Sequence, residues 1–486
     1  MTVPGPALVA ALQRAGLLVE AATLPPLTSL TADSRDVRAG ALFIAVRGSQ
    51  SDGHRFVPDA IARGAAAAVV ETRQPVDVPQ LVVTDARRAA IELARAWYGD
   101  PGASLVLIGI TGTNGKTTTT GLVRYLFNAA GTAGSIGTLG AFDGAGNDVP
   151  STAGNLTTPG PVDLQATLAA LAARGCTHVA METSSHSLDQ GRLDGVEFAA
   201  GIYTNLTRDH LDYHGTMDAY LAAKLKLSTL LRIDGVEVVN ADEPAWCDLP
   251  AHHPRVTFAR RAPDADVRAV REELDALGSR FTLEGRFGSA DVRLPLLGDF
   301  NIENALAAAA TALGLGEPLA RVAERLSAAP QVPGRMELVS ERPCAVLRDY
   351  AHTPDALERA LRTLRPLTRG RLIVLFGCGG DRDRGKRPIM GRIASELADV
   401  VVVTSDNPRT ENPESILDDI MAGMVGAAPR LRISDRRLAI GIALDKARPG
   451  DTLLLAGKGH ETYQILGATK HPFDERAIVR DAVGEP

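Results

Sequence analysis

The densest chemistry in the chain lies in Thr111-Gly-Thr-Asn-Gly-Lys-Thr-Thr118. It follows the apolar run Leu105-Val-Leu-Ile-Gly-Ile110 and precedes a helical pattern carrying Leu122, Tyr125 and Leu126. Strand, glycine-bearing loop and helix in that order form a phosphate cradle. The small residues Gly112, Thr113, Asn114 and Gly115 let backbone N–H groups approach phosphate oxygens, and the helix N-terminus adds partial positive charge. Lys116 supplies a full charge, and Thr117 and Thr118 supply hydroxyls, the first of them to Mg2+. The chemistry is nucleoside triphosphate binding. The spacing departs from G-x-x-x-x-G-K-S/T by one residue: Ile110 stands where the first glycine belongs, and the glycine is Gly109.

Other reactive groups fall at strand ends. Glu182 closes the apolar run Val179-Ala-Met181, where a metal-binding carboxylate beside a phosphate loop is expected. His210-Leu-Asp-Tyr-His214 has H-x-x-x-H spacing but lacks a glutamate after the first histidine and shows no third ligand. Zinc is therefore not expected; His210 suits a single-metal role and His214 a packing or hydrogen-bonding one. Lys224, within Tyr220-Leu-Ala-Ala-Lys-Leu-Lys-Leu227, reads by itself as a solvated helix lysine. Asp406-Asn-Pro-Arg409 follows the strand-like Val400 to Val403, again at a carboxyl end, where ligands bind in open α/β sheets.

These groups need a scaffold of several parts, and 486 residues suffice for about three domains. A net charge of −6 excludes an overall basic field for nucleic acid or an anionic membrane. Hydrophobic residues at 45% and charged residues at 23% match folded globular chains rather than disordered ones. Cys176, Cys247, Cys344 and Cys378 form no C-x-x-C pair, so neither a disulfide framework nor a zinc ribbon is expected, and a reducing compartment fits. The N-terminus lacks a basic leader with an apolar h-region, and no apolar stretch approaches the roughly 18 residues that span a bilayer. A cytoplasmic location is expected.

Glycine and proline cluster between apolar runs, which predicts many tight strand–helix connections. The expected fold is α/β in three domains. Residues 1–98 form a small α/β unit, with Ala41 to Val46 and Ala67 to Val70 flanking a helical stretch from Phe56 to Gly64. Residues 99–332 form a central, mostly parallel-sheet nucleotide-binding domain, with a helix from Val162 to Arg174 and a closing helix from Asn301 to Leu313. Residues 333–486 form a Rossmann-like doubly wound domain with strands near Ala345–Leu347, Leu372–Phe376, Val400–Val403 and Thr452–Ala456.

The succession Thr111-Gly-Thr-Asn-Gly-Lys-Thr, Glu182-Thr-Ser-Ser-His, Thr204-Asn-Leu-Thr-Arg-Asp-His-Leu-Asp-Tyr-His, Asn301-Ile-Glu-Asn, Gly334-Arg-Met-Glu and Asp349-Tyr-Ala-His-Thr-Pro resembles the Mur ligase family over nearly the whole chain. The shifted phosphate loop is the form typical of that family. The resemblance implies ATP-driven amide formation in peptidoglycan synthesis, and so a part in cell shape and division. The γ-phosphoryl group would pass to the D-glutamate γ-carboxyl of UDP-N-acetylmuramoyl-L-alanyl-D-glutamate, giving an acyl phosphate open to an amine.

By similarity Lys224 is carbamylated by CO2. With His210 it would hold a second Mg2+ beside one near Thr117 and Glu182, and Lys116 would complete the catalytic set. Asn304, Arg335 and Asp349 match nucleotide contacts. Ala32, Ser34, Ser49, Gln50 and Ser51 match uridine-nucleotide contacts, while Thr157, Thr158, Ser184, Gln190 and Arg192 match contacts to the muramoyl-dipeptide. A monomer without nucleic-acid or membrane partners is expected.

Within that family, Asp406, Asn407, Pro408 and Arg409 resemble the diaminopimelate-adding form. meso-Diaminopimelate carries a distal carboxylate that lysine lacks. Arg409 and Arg382 can bind that carboxylate, and Glu461, in the run beginning at Gly457, can accept from the distal ammonium. With lysine a guanidinium would be left desolvated and unpaired, and a site so built rejects the analogue by about 10⁴-fold or more. Three other readings remain open on the sequence: the same ligase using L-lysine, a folate polyglutamylating ligase, and a nucleotide-regulated binding protein.

Overall fold

A computed structural model describes residues 4–48, 51–150, 156–275, 278–426 and 429–485. The chain divides into two compact units. The first holds Met1–Arg268, Glu284–Ser289 and Glu303–Val322, and the second Ala269–Leu283, Ala290–Ile302 and Ala323–Pro486.

The first unit begins with a five-stranded sheet in the order Leu18–Glu20, Gln80–Val83, Ala65–Val70, Ala41–Ile44, Ser29–Thr31, parallel except for its first pair. The helical stretch expected from Phe56 is shorter: a 3₁₀ turn at Gly53–Phe56 leads into the helix Val57–Ala62. Leu8, Leu42, Ile44, Leu81, Leu93 and Trp97 pack one face of this sheet.

A second sheet of the same unit carries the phosphate loop. Within it, parallel strands run in the order Arg255–Ala259, Leu231–Asn240, Phe198–Tyr203, Val106–Thr111, His178–Glu182, Ala133–Gly137, and Arg255–Ala259 also pairs in parallel with the start of Val267–Asp275. Val106–Thr111 has a parallel neighbour on each edge and is buried along nearly its whole length, which explains its unbroken apolar run. The helix Pro161–Ala173 takes proline at its first position and is followed by Gly175 at φ 82°, so both ends lie where the sequence expected them.

The second unit is built on a six-stranded sheet in the order Glu337–Ser340, Ala345–Asp349, Thr452–Ala456, Leu372–Phe376, Val400–Val403, Arg430–Arg432, parallel after the first antiparallel pair. Successive residues of a strand face opposite sides. Ile373 and Leu375 accordingly pack with Ile440 and Ala443, while Val374 and Phe376 pack with Leu357, Leu361, Met390 and Ile416. Helices thus cover both faces, the doubly wound arrangement expected of this region. Truncating a side chain as buried as Phe376 costs about 3–5 kcal/mol.

Candidate active site

The phosphate loop joins Val106–Thr111 to the helix Lys116–Phe127. Gly112 sits at φ 144° and Gly115 at φ 85°. A Cβ on Gly112 would collide with the Thr204 hydroxyl, and one on Gly115 with the Asn304 side-chain carbonyl, so both glycines are sterically required. The segment after strand Phe198–Tyr203 braces the loop. Thr113 N–H donates to the Asn205 carbonyl (2.8 Å), Asn114 N–H to Asn205 Oδ1 (2.9 Å), and the Thr204 hydroxyl to the Asn114 carbonyl (2.8 Å). Thr113 Oγ1 donates to the Thr207 carbonyl and accepts from Thr207 N–H. Asn304 Oδ1 also accepts from Thr119 Oγ1, which puts this asparagine against the base of the loop.

Lys116 folds back so that Nζ donates to the carbonyls of Gly112 (2.9 Å) and Thr113 (2.8 Å). Lys224, expected on spacing alone to be solvated, is only 1% exposed. Its Nζ donates to the same Gly112 carbonyl (2.8 Å) and lies 4.3 Å from the Tyr220 ring centroid. Burial, and then the neighbouring Lys116 ammonium, hold the Lys224 amine well below the usual lysine range.

Glu182, 1% exposed, ends strand His178–Glu182 opposite Ile110 in the register. Its carboxylate accepts from the amide (2.9 Å) and hydroxyl (3.0 Å) of Thr138, both neutral donors. A Cβ on Gly137 would strike that carboxylate. His210 adopts φ 52°, and its ring meets His186 edge-on at 4.8 Å. Burial lowers the affinity of His210 for a proton and takes His186 down to about 4, which favours neutral imidazoles here. His214 keeps the supporting role expected of it, pairing with the Ser185 hydroxyl at 3.0 Å.

Thr157, Thr158, Ser184, Gln190 and Arg192 form one hydrogen-bonded strip. The Thr157 hydroxyl meets that of Thr138, and the Thr158 hydroxyl donates to the Glu182 carbonyl (2.8 Å). Thr158 Oγ1 also lies 3.3 Å from Ser184 Oγ, and Arg192 donates to Gln190 Oε1 through Nε (2.9 Å) and Nη2 (2.6 Å). Arg87, in the first turn of the helix Ala86–Tyr98, donates to the carbonyls of Gln190 (2.9 Å) and Arg47 (2.8 Å). Ala32 is exposed and Ser34 half-buried, opening a 3₁₀ turn capped by Asp33. Ser51 carries a carbonyl that accepts from Gly48 N–H. Ser49 and Gln50 lie outside the described residues.

In the second unit, Asp406 and Asn407 are buried at the carboxyl end of Val400–Val403, with Pro408 and Arg409 next in the chain. Arg409, at φ 52°, donates from Nη1 to the Gly380 carbonyl (2.8 Å). A Cβ on Gly379 would lie 2.9 Å from Arg409 Nη1 and 3.7 Å from Arg382 Cγ, so the two arginines flank one glycine. Asn407 Nδ2 donates to Glu461 Oε2 (2.8 Å), and burial raises the Glu461 carboxyl above its usual range. Gly457 N–H donates to the Asp349 carbonyl (3.0 Å), Asp349 Oδ2 accepts from Met336 N–H (2.7 Å), and Arg335 stacks 4.9 Å over Tyr350.

Spacing alone did not reveal Thr138, Asn205, Tyr220 or His186 as neighbours of reactive groups. Only the Thr204–His214 and Glu182–His186 motifs hinted at two of them. Among the described residues no group of three or more histidine, cysteine, aspartate or glutamate side chains forms a metal cage. The donors present, namely Thr117, a buried carboxylate served by neutral donors and a neutral histidine, suit Mg2+ completed by phosphate oxygens.

Three family models match the chain in succession: "Mur ligase family, catalytic domain" over residues 26–98, "Mur ligase middle domain" over 110–312, and "Mur ligase, glutamate ligase domain" over 334–459. The chain belongs to the Mur ligase family. It is 47% identical over 94% of both chains to a protein of Gloeobacter violaceus named UDP-N-acetylmuramoyl-L-alanyl-D-glutamate--2,6-diaminopimelate ligase. A Geobacillus kaustophilus protein of the same name is 45% identical over 95% of this chain and 96% of its own. A solved structure under that name superposes with a TM-score of 0.68 at 35% identity, covering 100% of this chain and 99% of the other.

Proposed function

We propose that the chain is an ATP-dependent ligase that joins meso-diaminopimelate to the D-glutamate γ-carboxylate of UDP-N-acetylmuramoyl-L-alanyl-D-glutamate, a step of peptidoglycan synthesis. Relatives named for that reaction match nearly end to end. The observation that carries the choice of amine is the convergence of Arg382 and Arg409 on Gly379. The Arg409 guanidinium beside that glycine, with the Arg382 side chain passing it, suits a carboxylate, and lysine brings none to its distal end.

In this reading the loop amides, Lys116 and the helix N-terminus hold the triphosphate, with Asn304, Arg335 and Asp349 contacting the nucleotide. Ala32, Ser34, Ser49, Gln50 and Ser51 take the uridine end of the acceptor, and Thr157, Thr158, Ser184, Gln190 and Arg192 its peptide. The acceptor carboxylate oxygen attacks the γ-phosphorus and ADP leaves. The diaminopimelate amine then attacks the acyl carbon, loses a proton, and inorganic phosphate departs. Lys116 and the loop donors stabilise charge on the transferring oxygens, so rate comes chiefly from positioning and electrostatics.

Thr117 and Glu182 would hold one Mg2+, and His210 with carbamylated Lys224 a second, supplying charge neutralisation at the phosphates. A buried neutral amine suits the modification: Lys224 Nζ bonds to the carbon of CO2 and releases one proton. Residues 1–98, 99–332 and 333–486 serve as the nucleotide-sugar, ATP and amino-acid domains of a cytoplasmic monomer, which acts through the wall on cell shape and division. Phosphate release with the dipeptide nucleotide and either meso-diaminopimelate, L-lysine or L-glutamate tests the reading. Release that needs diaminopimelate supports it, and release indifferent to the amine contradicts it.

A further inference from the structure

Lys458 is fully buried, yet it belongs to none of the contacts assigned above. Its ammonium ties three segments of the second unit. Nζ donates to Asn407 Oδ1 (3.1 Å), on the loop after Val400–Val403, and to the Tyr463 carbonyl (2.7 Å), at the start of the hairpin Tyr463–Leu466 and Thr469–Pro472. It also stands 3.7 Å from Glu461 and 3.8 Å from Asp406.

The Asn407 contact has a directional consequence. Asn407 Oδ1 takes one hydrogen bond from Lys458 and a second from Ile465 N–H (2.9 Å), which fixes the amide so that Nδ2 faces Glu461 and donates to it. The hairpin in turn holds Arg409 by its backbone: Arg409 N–H donates to the Ile465 carbonyl (3.1 Å), and Gly467 N–H donates to the Arg409 carbonyl (2.8 Å). One ammonium is therefore linked to the Glu461 carboxyl through Asn407 and to the Arg409 backbone through the hairpin. Charge supports the same role. Asp406 and Glu461 are two carboxyl groups beside one lysine, so one is left over for a substrate ammonium.

We propose that Lys458 is a positioning residue for the distal end of the incoming diamino acid, acting through Asn407 on Glu461 and through the Tyr463 hairpin on Arg409. The inference rests on the amine assigned under the proposed function.

The test is steady-state kinetics of Lys458→Met and Lys458→Gln, with thermal melts to confirm folding. A displacement of the acceptor by an ångström or so raises the KM for meso-diaminopimelate about tenfold or more and narrows the preference over L-lysine. The KM values for ATP and the dipeptide nucleotide stay at wild-type levels. Lys458→Gln, which keeps a donor, recovers part of the loss. An unchanged KM for diaminopimelate in a folded variant overturns the proposal. So does an equal decline toward all three substrates, or failure of both variants to fold, either of which makes Lys458 structural only. If the unmutated enzyme does not use diaminopimelate, the functional reading fails first and takes this inference with it; an active wild type with an indifferent Lys458→Met sinks this inference alone.

Discussion

Lys116 and Lys224 share one acceptor: the Gly112 carbonyl receives a hydrogen bond from each side chain, at 2.9 Å and 2.8 Å. Burial first, and then repulsion from the Lys116 ammonium at the same carbonyl, push Lys224 toward neutrality. A neutral lysine amine is a nucleophile, which suits it to capture CO2.

Replacing Lys224 with alanine is expected to lower kcat by about 10²-fold or more, because a charge-positioning group is lost at the transferring phosphoryl. Short carboxylic acids should restore part of the rate. Turnover assays with and without added acetate, and uptake of isotope-labelled bicarbonate by the wild type alone, check this. Full activity of Lys224→Ala without additives removes the carbamate.

Gly115→Ala forces a side chain into a left-handed backbone and against the Asn304 carbonyl. Strain of about 1–3 kcal/mol at this position corresponds to a weakening of ATP binding by roughly 5- to 150-fold. Calorimetric titration with a non-hydrolysable ATP analogue measures it, and wild-type affinity would show that the loop does not seat the phosphates.

Arg409→Ala should cut kcat/KM for meso-diaminopimelate by about 10²-fold through loss of a charge-assisted pair. ATP affinity should stay at its wild-type level, since Arg409 is not among the residues assigned to the nucleotide and its guanidinium is held by the Gly380 carbonyl. Unaltered diaminopimelate kinetics would move the carboxylate contact elsewhere.

Arg387 is fully buried and hydrogen-bonds Glu411 (2.8 Å and 3.0 Å), holding the Glu411 carboxyl down to about 2. A carboxyl lowered on folding contributes its stability above the unfolded value of 4.5 and loses it as pH falls toward 2. Thermal melts between those limits should show the wild type losing more stability on acidification than Glu411→Gln, which cannot ionise. Parallel acid curves for the two proteins would exclude the pair as a source of acid sensitivity.

Much of this was readable in the sequence where local pattern decides the outcome. Val106–Thr111 and Val400–Val403 are buried parallel strands, and an unbroken apolar run ending at a loop marks both the strand and its ligand-facing end. Lys224 was not readable from its own helix, because its burial depends on a carbonyl 112 positions away. The Thr138 contact to Glu182 spans 44 positions and leaves no periodic trace. Lys458 belongs to the same class, since its partner Asn407 lies 51 positions away.

The most direct measurement of the central claim is the structure of the product. The purified enzyme is incubated with ATP, the uridine-linked muramoyl-dipeptide and meso-diaminopimelate, and the new peptide is analysed by mass spectrometry and NMR. The expected result is a single amide between the D-glutamate γ-carboxyl and an amine of diaminopimelate, with ADP and phosphate formed in equal amount. ATP consumption without that amide, or the same yield with L-lysine, would contradict it.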